Sequence, residues 1–472
     1  MTKSKFVAIF YSLTPNEKVS FRKWIASPFF NKKKSIIRLL DHFYSIDLKK
    51  DRHLLHRTSI HNAVLDSQPF NMAKLRHLMS ELTQLLEQFL VHQYRQSQTL
   101  QFQLDLSNIY KQRRLMHLSQ QSMNKVYQLH KKQPFRDINQ LEMSYQIELA
   151  AYHIHLEKDR STPQNFQTLN NNFDASYIAG KLKHSCRVLS HQGMYTQQYD
   201  TGLLTQVLSY LEEQPQYLEE PTIGLYYYYY MASTDALNET TYFRKFKNYL
   251  LRYQYLFERE EMRDLYILAT NYSIKRLNTN QRSYYLTESF ELYQQALENE
   301  ILLENKKISP FAFTNIVAIA LGLKKYDWAW DFLQTYNTYL AKPIRQAYTD
   351  YNLSRLYFQQ KQYQKAAELL VADDFEDLHL NLSAKMLLLK IYYELGEFQL
   401  LEALLNRFNT YLSRQKILVY HKKNYNNIIR FTRRLVGINP FSSKAKNKLQ
   451  KEIELVDLLT EKGWLLEQLK KL

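Results

Sequence analysis

A chain of 472 residues that carries only 8 glycines and 10 prolines has few places at which it can reverse direction sharply. Tight hairpin turns need residues at positive φ, and phosphate-cradling loops need several glycines close together. Average usage is about 7% Gly and about 5% Pro, so this chain lacks most of the usual stock. All-β architectures and α/β enzymes built on glycine-rich loops are therefore not expected. One cysteine rules out a disulfide framework. A hydrophobic content of 45%, with 14% aromatic residues, is too high for a disordered chain. The expectation that remains is an all-α protein.

Single hydrophobic cores stop growing near about 250–300 residues, so the chain must divide or form an array. Near the start, Thr14, Pro15 and Glu17 have the spacing of an N-cap, a first helical residue and a capping box. That helix is predicted to stop at Ser27-Pro28, because proline disfavours helical geometry in the residue before it. A second helix is predicted from about Asn31. After a break at Ser67-Gln68-Pro69-Phe70-Asn71, apolar residues Leu75, Leu78, Met79, Leu82, Leu85, Leu86, Phe89 and Leu90 recur at three- and four-residue steps. They mark one amphipathic helix. Residues 1–98 thus read as a basic N-terminal helical domain.

From residue 99 onward, helices follow one another across short polar joints, marked by Pro134, Pro163, Pro215, Pro221, Pro310 and Pro343. Residues 312–412 contain a repeat. Ile316, Ala320, Tyr326, Ala329 and Leu333 set a spacing that Leu353, Tyr357, Tyr363, Ala366 and Leu370 reproduce, as do Leu388, Tyr392, Phe398, Leu401 and Leu405. The copies lie 37 and then 35 residues apart, close to the roughly 34-residue period of tetratricopeptide repeats. Small residues Ala329 and Ala366 suit close packing of the second helix on the first, and Gly396 suits the turn between them. The predicted fold is an α-solenoid of tetratricopeptide-like hairpins. It comprises the N-terminal domain, degenerate repeats over 99–311, clearer repeats over 312–412 and a basic helical cap over 413–472.

Three stretches carry a wider resemblance. They are Leu13-Thr14-Pro15-Asn16-Glu17 leading to Ala26-Ser27-Pro28-Phe29-Phe30-Asn31-Lys32, then Leu78-Met79-Ser80-Glu81-Leu82 with Glu87-Gln88-Phe89-Leu90, and Glu461-Lys462-Gly463-Trp464-Leu465-Leu466-Glu467. Together they resemble a large family of uncharacterised bacterial helical proteins common in Bacteroidota. That resemblance implies an N-terminal helical domain, tetratricopeptide-like repeats and a terminal Trp-Leu-Leu helix. It implies architecture and no activity.

The net charge of +17 is concentrated at the ends. Residues 1–60 hold 13 Lys/Arg against 4 Asp/Glu, and residues 414–451 hold 11 against none, whereas residues 141–413 hold 26 against 32. The candidate residues for an anionic partner are Lys32, Lys33, Lys34 and Arg38 at one end. At the other they are Lys422, Lys423, Arg430, Arg433, Arg434, Lys444, Lys446 and Lys448, with Lys451 close by. On a helix, Arg430, Arg433 and Arg434 share a face. Phe29 and Phe30, and Tyr420, Tyr425 and Phe431, are interleaved with these cations. Cations among flat aromatics can neutralise phosphates and stack on bases; they also form solvated faces over an aromatic core.

Catalytic signatures are missing. The glycines stand too far apart for a nucleotide loop, and His53, His56, His61, His153 and His155 lack the His-Glu-x-x-His arrangement that puts two ligands and a base on one helix face. The run Asp373-Asp374-Phe375-Glu376-Asp377 lacks the glycine and alternation of a calcium loop and suits a helix start instead. Glu258, Glu260 and Glu261 read as a helical face. Cys186 sits among Lys181, Lys183 and Arg187 and reads as a packing residue. Tyr226, Tyr227, Tyr228, Tyr229 and Tyr230 would cover every side of a helix. Some must be buried and some exposed: in a solenoid they fill contacts between neighbouring helices, the alternative being an aromatic ligand-binding surface on the concave face.

No cofactor is expected. Met1-Thr2-Lys3-Ser4-Lys5 before the apolar Phe6 to Leu13 resembles a secretory start, but no small-residue cleavage site follows. A cytoplasmic location is expected. These features point to a non-enzymatic scaffold for a protein or peptide partner, the alternative being an RNA- or DNA-binding factor that uses its basic ends.

Overall fold

The structure is a computed structural model that describes residues 4–47, 50–65, 69–158, 163–192, 197–277, 281–371, 375–414 and 419–472. Among the described residues the backbone forms 23 α-helices, four short 3-10 helices and one ladder of two two-residue strands. The fold class is all-α. No helix among the described residues is long and apolar enough to cross a membrane. The chain divides into two compact units, Met1–Lys183 with Leu203–Ile223, and His184–Gly202 with Gly224–Leu472.

In the first unit, one hydrophobic cluster is drawn from Phe6 through Phe89. The helix Pro15–Ala26 starts with the expected capping box: Glu17 N–H donates to Thr14 Oγ1 at 3.3 Å and Thr14 N–H donates to Glu17 Oε2 at 2.7 Å. It stops before Pro28. The Ser27-Pro28-Phe29-Phe30-Asn31 turn is then built from its own side chains. Phe30 stacks on Trp24 with ring centroids 3.4 Å apart. Asn31 is buried, donates to the carbonyls of Ile25 (3.1 Å) and Lys33 (3.2 Å), and accepts the Lys33 N–H at 2.9 Å. The next helix, Lys34–Tyr44, begins three residues after Asn31. The long helix Met72–Ser97 buries Leu75, Leu78, Met79, Leu82, Leu85, Leu86 and Phe89, the face expected from their spacing.

One turn recurs along the chain. Arg114, Lys324, Lys361 and Gly396 are all left-handed, with φ of 61°, 57°, 60° and 73°. In each case this residue's N–H donates three residues back, and the following N–H donates five residues back, to the carbonyls of Tyr110, Ala320, Tyr357 and Tyr392. This is the Schellman geometry, which satisfies carbonyls left open at a helix end. A second helix follows at once, so the pairs Thr99–Gln112 with Met116–Lys131, Pro310–Gly322 with Tyr326–Tyr336, Lys342–Gln359 with Tyr363–Val371, and Leu378–Leu395 with Phe398–Arg414 are hairpins.

Their contact points are equivalent. Five residues past each left-handed position lie Ser119, Ala329, Ala366 and Leu401; seven residues before it lie Ser107, Val317, Ser354 and Leu389, all at most 1% exposed. Ser107 Oγ donates to the Ser119 carbonyl (3.0 Å) and Ser119 Oγ to the Ser107 carbonyl (2.9 Å), while Ser354 Oγ donates to the Ala366 carbonyl (2.8 Å). Small side chains let the two backbones approach, and the hydroxyls bond carbonyls across the contact.

Between the helices Arg282–Glu298 and Pro310–Gly322 the chain makes its two-stranded ladder, with Leu303 opposite Ile308 and Glu304 opposite Lys307. Its turn residues Asn305 and Lys306 have φ of 50° and 58°, the type I′ geometry made here without glycine.

Candidate functional site

In the second unit the first helices of three hairpins, Pro310–Gly322, Lys342–Gln359 and Leu378–Leu395, pack side by side. Arg355 is fixed at the first of these contacts. Its Nη1 donates to the Thr314 carbonyl and to Asn352 Oδ1, both at 3.1 Å, and its guanidinium lies 5.6 Å from the Tyr351 ring centroid. Asn352 is fully buried and is itself held, donating to the Tyr348 carbonyl (2.8 Å) and to Thr314 Oγ1 (3.2 Å). Among the described residues no carboxylate pairs with Arg355.

Arg355 lines a cleft of about 420 Å³, together with Arg282, Tyr351, Ser383, Lys390 and Tyr425. Lys390 is compensated by Glu461 at 2.9 Å and lies 5.2 Å from the Phe358 ring centroid. Gly322 forms part of the wall, where an added Cβ would meet Leu286 at 3.0 Å, so glycine permits the close approach.

A second cleft, of about 680 Å³, opens between the helix Arg259–Arg276 and the start of Pro310–Gly322. Its wall includes Arg263, paired with Glu304 at 3.2 Å, and Phe311, which is 62% exposed. The helix Pro310–Gly322 therefore borders both clefts. They present hydrogen-bond donors, aromatic rings and two guanidiniums, Arg282 and Arg355, that have no carboxylate partner among the described residues; of these Arg355 is the one held by hydrogen bonds. A pre-organised guanidinium can match a carboxylate with two parallel bonds.

The candidate basic residues are distributed differently. Lys32, Lys33, Lys34 and Arg38 are all exposed, with Lys33 bound to Glu81 at 2.8 Å. Phe29 beside them is 86% exposed. At the other end the three arginines diverge. Arg433 binds Glu402 (3.1 Å) and Asn406 (2.6 Å), Arg434 forms a two-pronged pair with Glu452, and Arg430 lies over Phe431, 4.7 Å from the ring centroid.

Glu452 sits within the influence of Arg434, Lys448 and Arg430; the Arg434 hydrogen bonds hold its carboxyl below the usual range. Lys444 and Lys448 are exposed and Lys446 is partly so, beside a Phe441 that is 94% exposed. Lys422 donates to the Ser413 carbonyl at 3.5 Å, and Lys423 is exposed. The Tyr420 side chain lies outside the described residues.

The tyrosine run is enclosed. Tyr226, Tyr227, Tyr228 and Tyr229 are buried, and Tyr230 is half-buried. Neighbouring side chains enclose the four buried rings, while Tyr230 keeps part of its surface open. Tyr226 donates to Glu261 at 2.7 Å, Tyr229 Oη lies 3.4 Å from Ser190 Oγ, and Tyr228 bonds Tyr249.

Cys186 is buried and donates to the Tyr226 carbonyl, with burial pushing its thiol pKa up. His61 accepts the Asn71 N–H at 3.0 Å. Among the described residues no three His, Cys, Asp or Glu converge into a metal-holding group. Asp377 caps the helix Leu378–Leu395 through the Leu380 N–H at 2.8 Å, while Asp373 and Asp374 lie outside the described residues.

No known protein-family model matches this chain, and no curated protein matches it significantly in sequence. The cleft residues Arg355, Lys390 and Glu461 have no sequence signature, because they meet across intervals of 35 to 106 positions. The hairpin at Arg114 was legible in principle. Leu106, Tyr110, Met116, Ser119 and Met123 keep the spacing of the three C-terminal copies, with Ser and Met in place of the expected residues.

Proposed function

We propose that this protein is a non-enzymatic interaction scaffold, an α-solenoid of tetratricopeptide-like hairpins that holds an extended, carboxylate-bearing segment of a protein partner along its first helices. The single observation that carries this reading is Arg355, a guanidinium fixed at two acceptors in a cleft and, among the described residues, left without a carboxylate. Four hairpins with one turn geometry, two of them spaced 37 and 35 residues from the next, support the repeat architecture. Repeat arrays bind through many modest contacts on such surfaces.

The test is affinity purification of nuclease-treated complexes with the wild-type chain and with Arg355→Glu, followed by a direct binding measurement with the recovered partner. Binding weakened about tenfold or more by charge reversal at one fixed arginine supports the reading; unchanged binding overturns it.

A second reading, binding of RNA or DNA, is favoured by a separate observation. Exposed Phe29 and Phe441 each stand among exposed lysines. Its test is fluorescence anisotropy with single-stranded and duplex probes across a salt series. A steep loss of affinity with salt, weakened by Lys32→Glu with Lys34→Glu, is expected from counter-ion release. Absence of binding at low salt removes it.

A further inference from the structure

The first unit contains a cleft whose chemistry is opposite to that of Arg355. It measures about 700 Å³ and is formed by the early part of the helix Phe166–Gln192 and the segment from Tyr210 to Glu220. Its wall holds five primary amides, two phenols and two carboxylates, with no lysine or arginine. Residues 203–223 contain four glutamates and no basic residue, and residues 164–180 contain one aspartate and no basic residue. Both segments lie within residues 141–413, which hold 26 Lys/Arg against 32 Asp/Glu.

Part of the wall is satisfied internally. Gln167 Nε2 donates to Asn171 Oδ1 at 2.8 Å, and Gln216 Nε2 donates to Gln214 Oε1 at 2.6 Å. Tyr210 and Tyr217 form an aromatic pair, with ring centroids 5.7 Å apart and a 50° tilt. Glu220 is different. One of its carboxylate oxygens, Oε1, is shielded from water and has no hydrogen-bond partner among the described residues. Among the described residues the one cation it senses is Arg136, which is not in ion-pair contact and whose Nη1 is bound to the carbonyls of Gln133 (2.9 Å) and Phe135 (2.8 Å). Asp174 adds negative potential near Tyr217.

We propose that this cleft binds an organic ammonium or guanidinium group, with Glu220 as the counter-ion and the Tyr210–Tyr217 pair as an aromatic wall. A cation supplies the charge that the shielded carboxylate lacks, donates to the spare amide oxygens and is drawn to the faces of the tyrosine rings. A neutral polyol would use the amides but leave Glu220 uncompensated, and an anion would be repelled. Burial raises the Glu220 pKa, which agrees with a carboxylate held without its counter-charge. The volume suits a small molecule or a side chain.

The cation has two sources, a free polyamine or a lysine or arginine side chain of a protein. Calorimetric titration of the full chain separates them, with putrescine and spermidine in one arm and N-acetyl-lysine amide and N-acetyl-arginine amide in the other. Maltotriose serves as a neutral probe. Saturable binding in either cationic arm is expected, and the tighter arm identifies the source. Glu220→Gln keeps the side chain's size and removes its charge. It is expected to weaken binding about tenfold or more, as is Tyr217→Ala. The proposal is overturned by no saturable binding up to about 10 mM, by equal affinity of Glu220→Gln, or by maltotriose binding as tightly as the cations.

Discussion

Glu394 Oε1 accepts the indole N–H of Trp464 at 3.3 Å, joining two residues 70 positions apart. The same oxygen accepts from Gln468 Nε2, and Lys471 Nζ lies 3.9 Å away. Trp464 also packs edge-on against Tyr393, with centroids 5.3 Å apart. One carboxylate thus docks the helix Lys462–Lys471 onto the helix Leu378–Leu395.

Glu394→Ala leaves the nearly buried Gln468 amide and the Trp464 indole without an acceptor. A loss of about 2 kcal/mol is expected from unsatisfied buried donors. Urea unfolding measures it, and hydrogen exchange should show the protection of Lys462–Lys471 falling first.

The hairpin contact makes opposite demands at equivalent positions. Ala366 is fully buried against Ser354, so Ala366→Leu is expected to destabilise by about 1–3 kcal/mol through overpacking. Leu401 fills the same position in the next hairpin at 1% exposure, so Leu401→Ala should cost about 2–5 kcal/mol through the cavity it leaves. Denaturant midpoints at constant slope would check both.

The left-handed turn residues offer a test of backbone strain. Lys361 holds φ of 60° where Gly396 holds 73°. Lys361→Gly is expected to stabilise the fold by about 0.5–1 kcal/mol, since an L side chain is disfavoured there, less the entropy glycine adds to the unfolded chain. Gly396→Ala should destabilise by about 1 kcal/mol on the same grounds. Thermal unfolding of the pair resolves the two signs.

Glu220 has a pH signature. Burial lifts its carboxyl above the ordinary glutamate range, with Arg136 offsetting part of the effect. A raised folded-state pKa favours the protonated acid. Its contribution to stability is complete below the unfolded value and is lost as pH rises through the raised one. Glu220→Gln is therefore expected to raise the melting temperature at about pH 7 and to make no difference at about pH 4. Melting curves across that interval would show the two proteins converge on the acid side.

Much of the architecture was written in short-range spacing. Thr14, Pro15 and Glu17 announced a capped helix, Leu75 through Phe89 announced its buried face, and Ala329, Ala366 and Gly396 announced close contacts and a turn. Each of these signals acts between residues within a few positions, where helical geometry already dictates who meets whom.

Longer-range outcomes were not written there. Helical spacing puts Arg430, Arg433 and Arg434 on one face, yet Arg433 and Arg434 are neutralised by Glu402 and Glu452 from different helices. Five adjacent tyrosines demand burial on some sides; four became fully buried because neighbouring helices enclose the helix that carries them. Arg355 and Glu220 look ordinary in the chain. Among the described residues one stands without a carboxylate and the other without a counter-ion in contact, and that distinction arises when helices pack. Local periodicity sets which faces are apolar. Which charges are cancelled, and which are left uncompensated, depends on contacts between residues far apart in the chain.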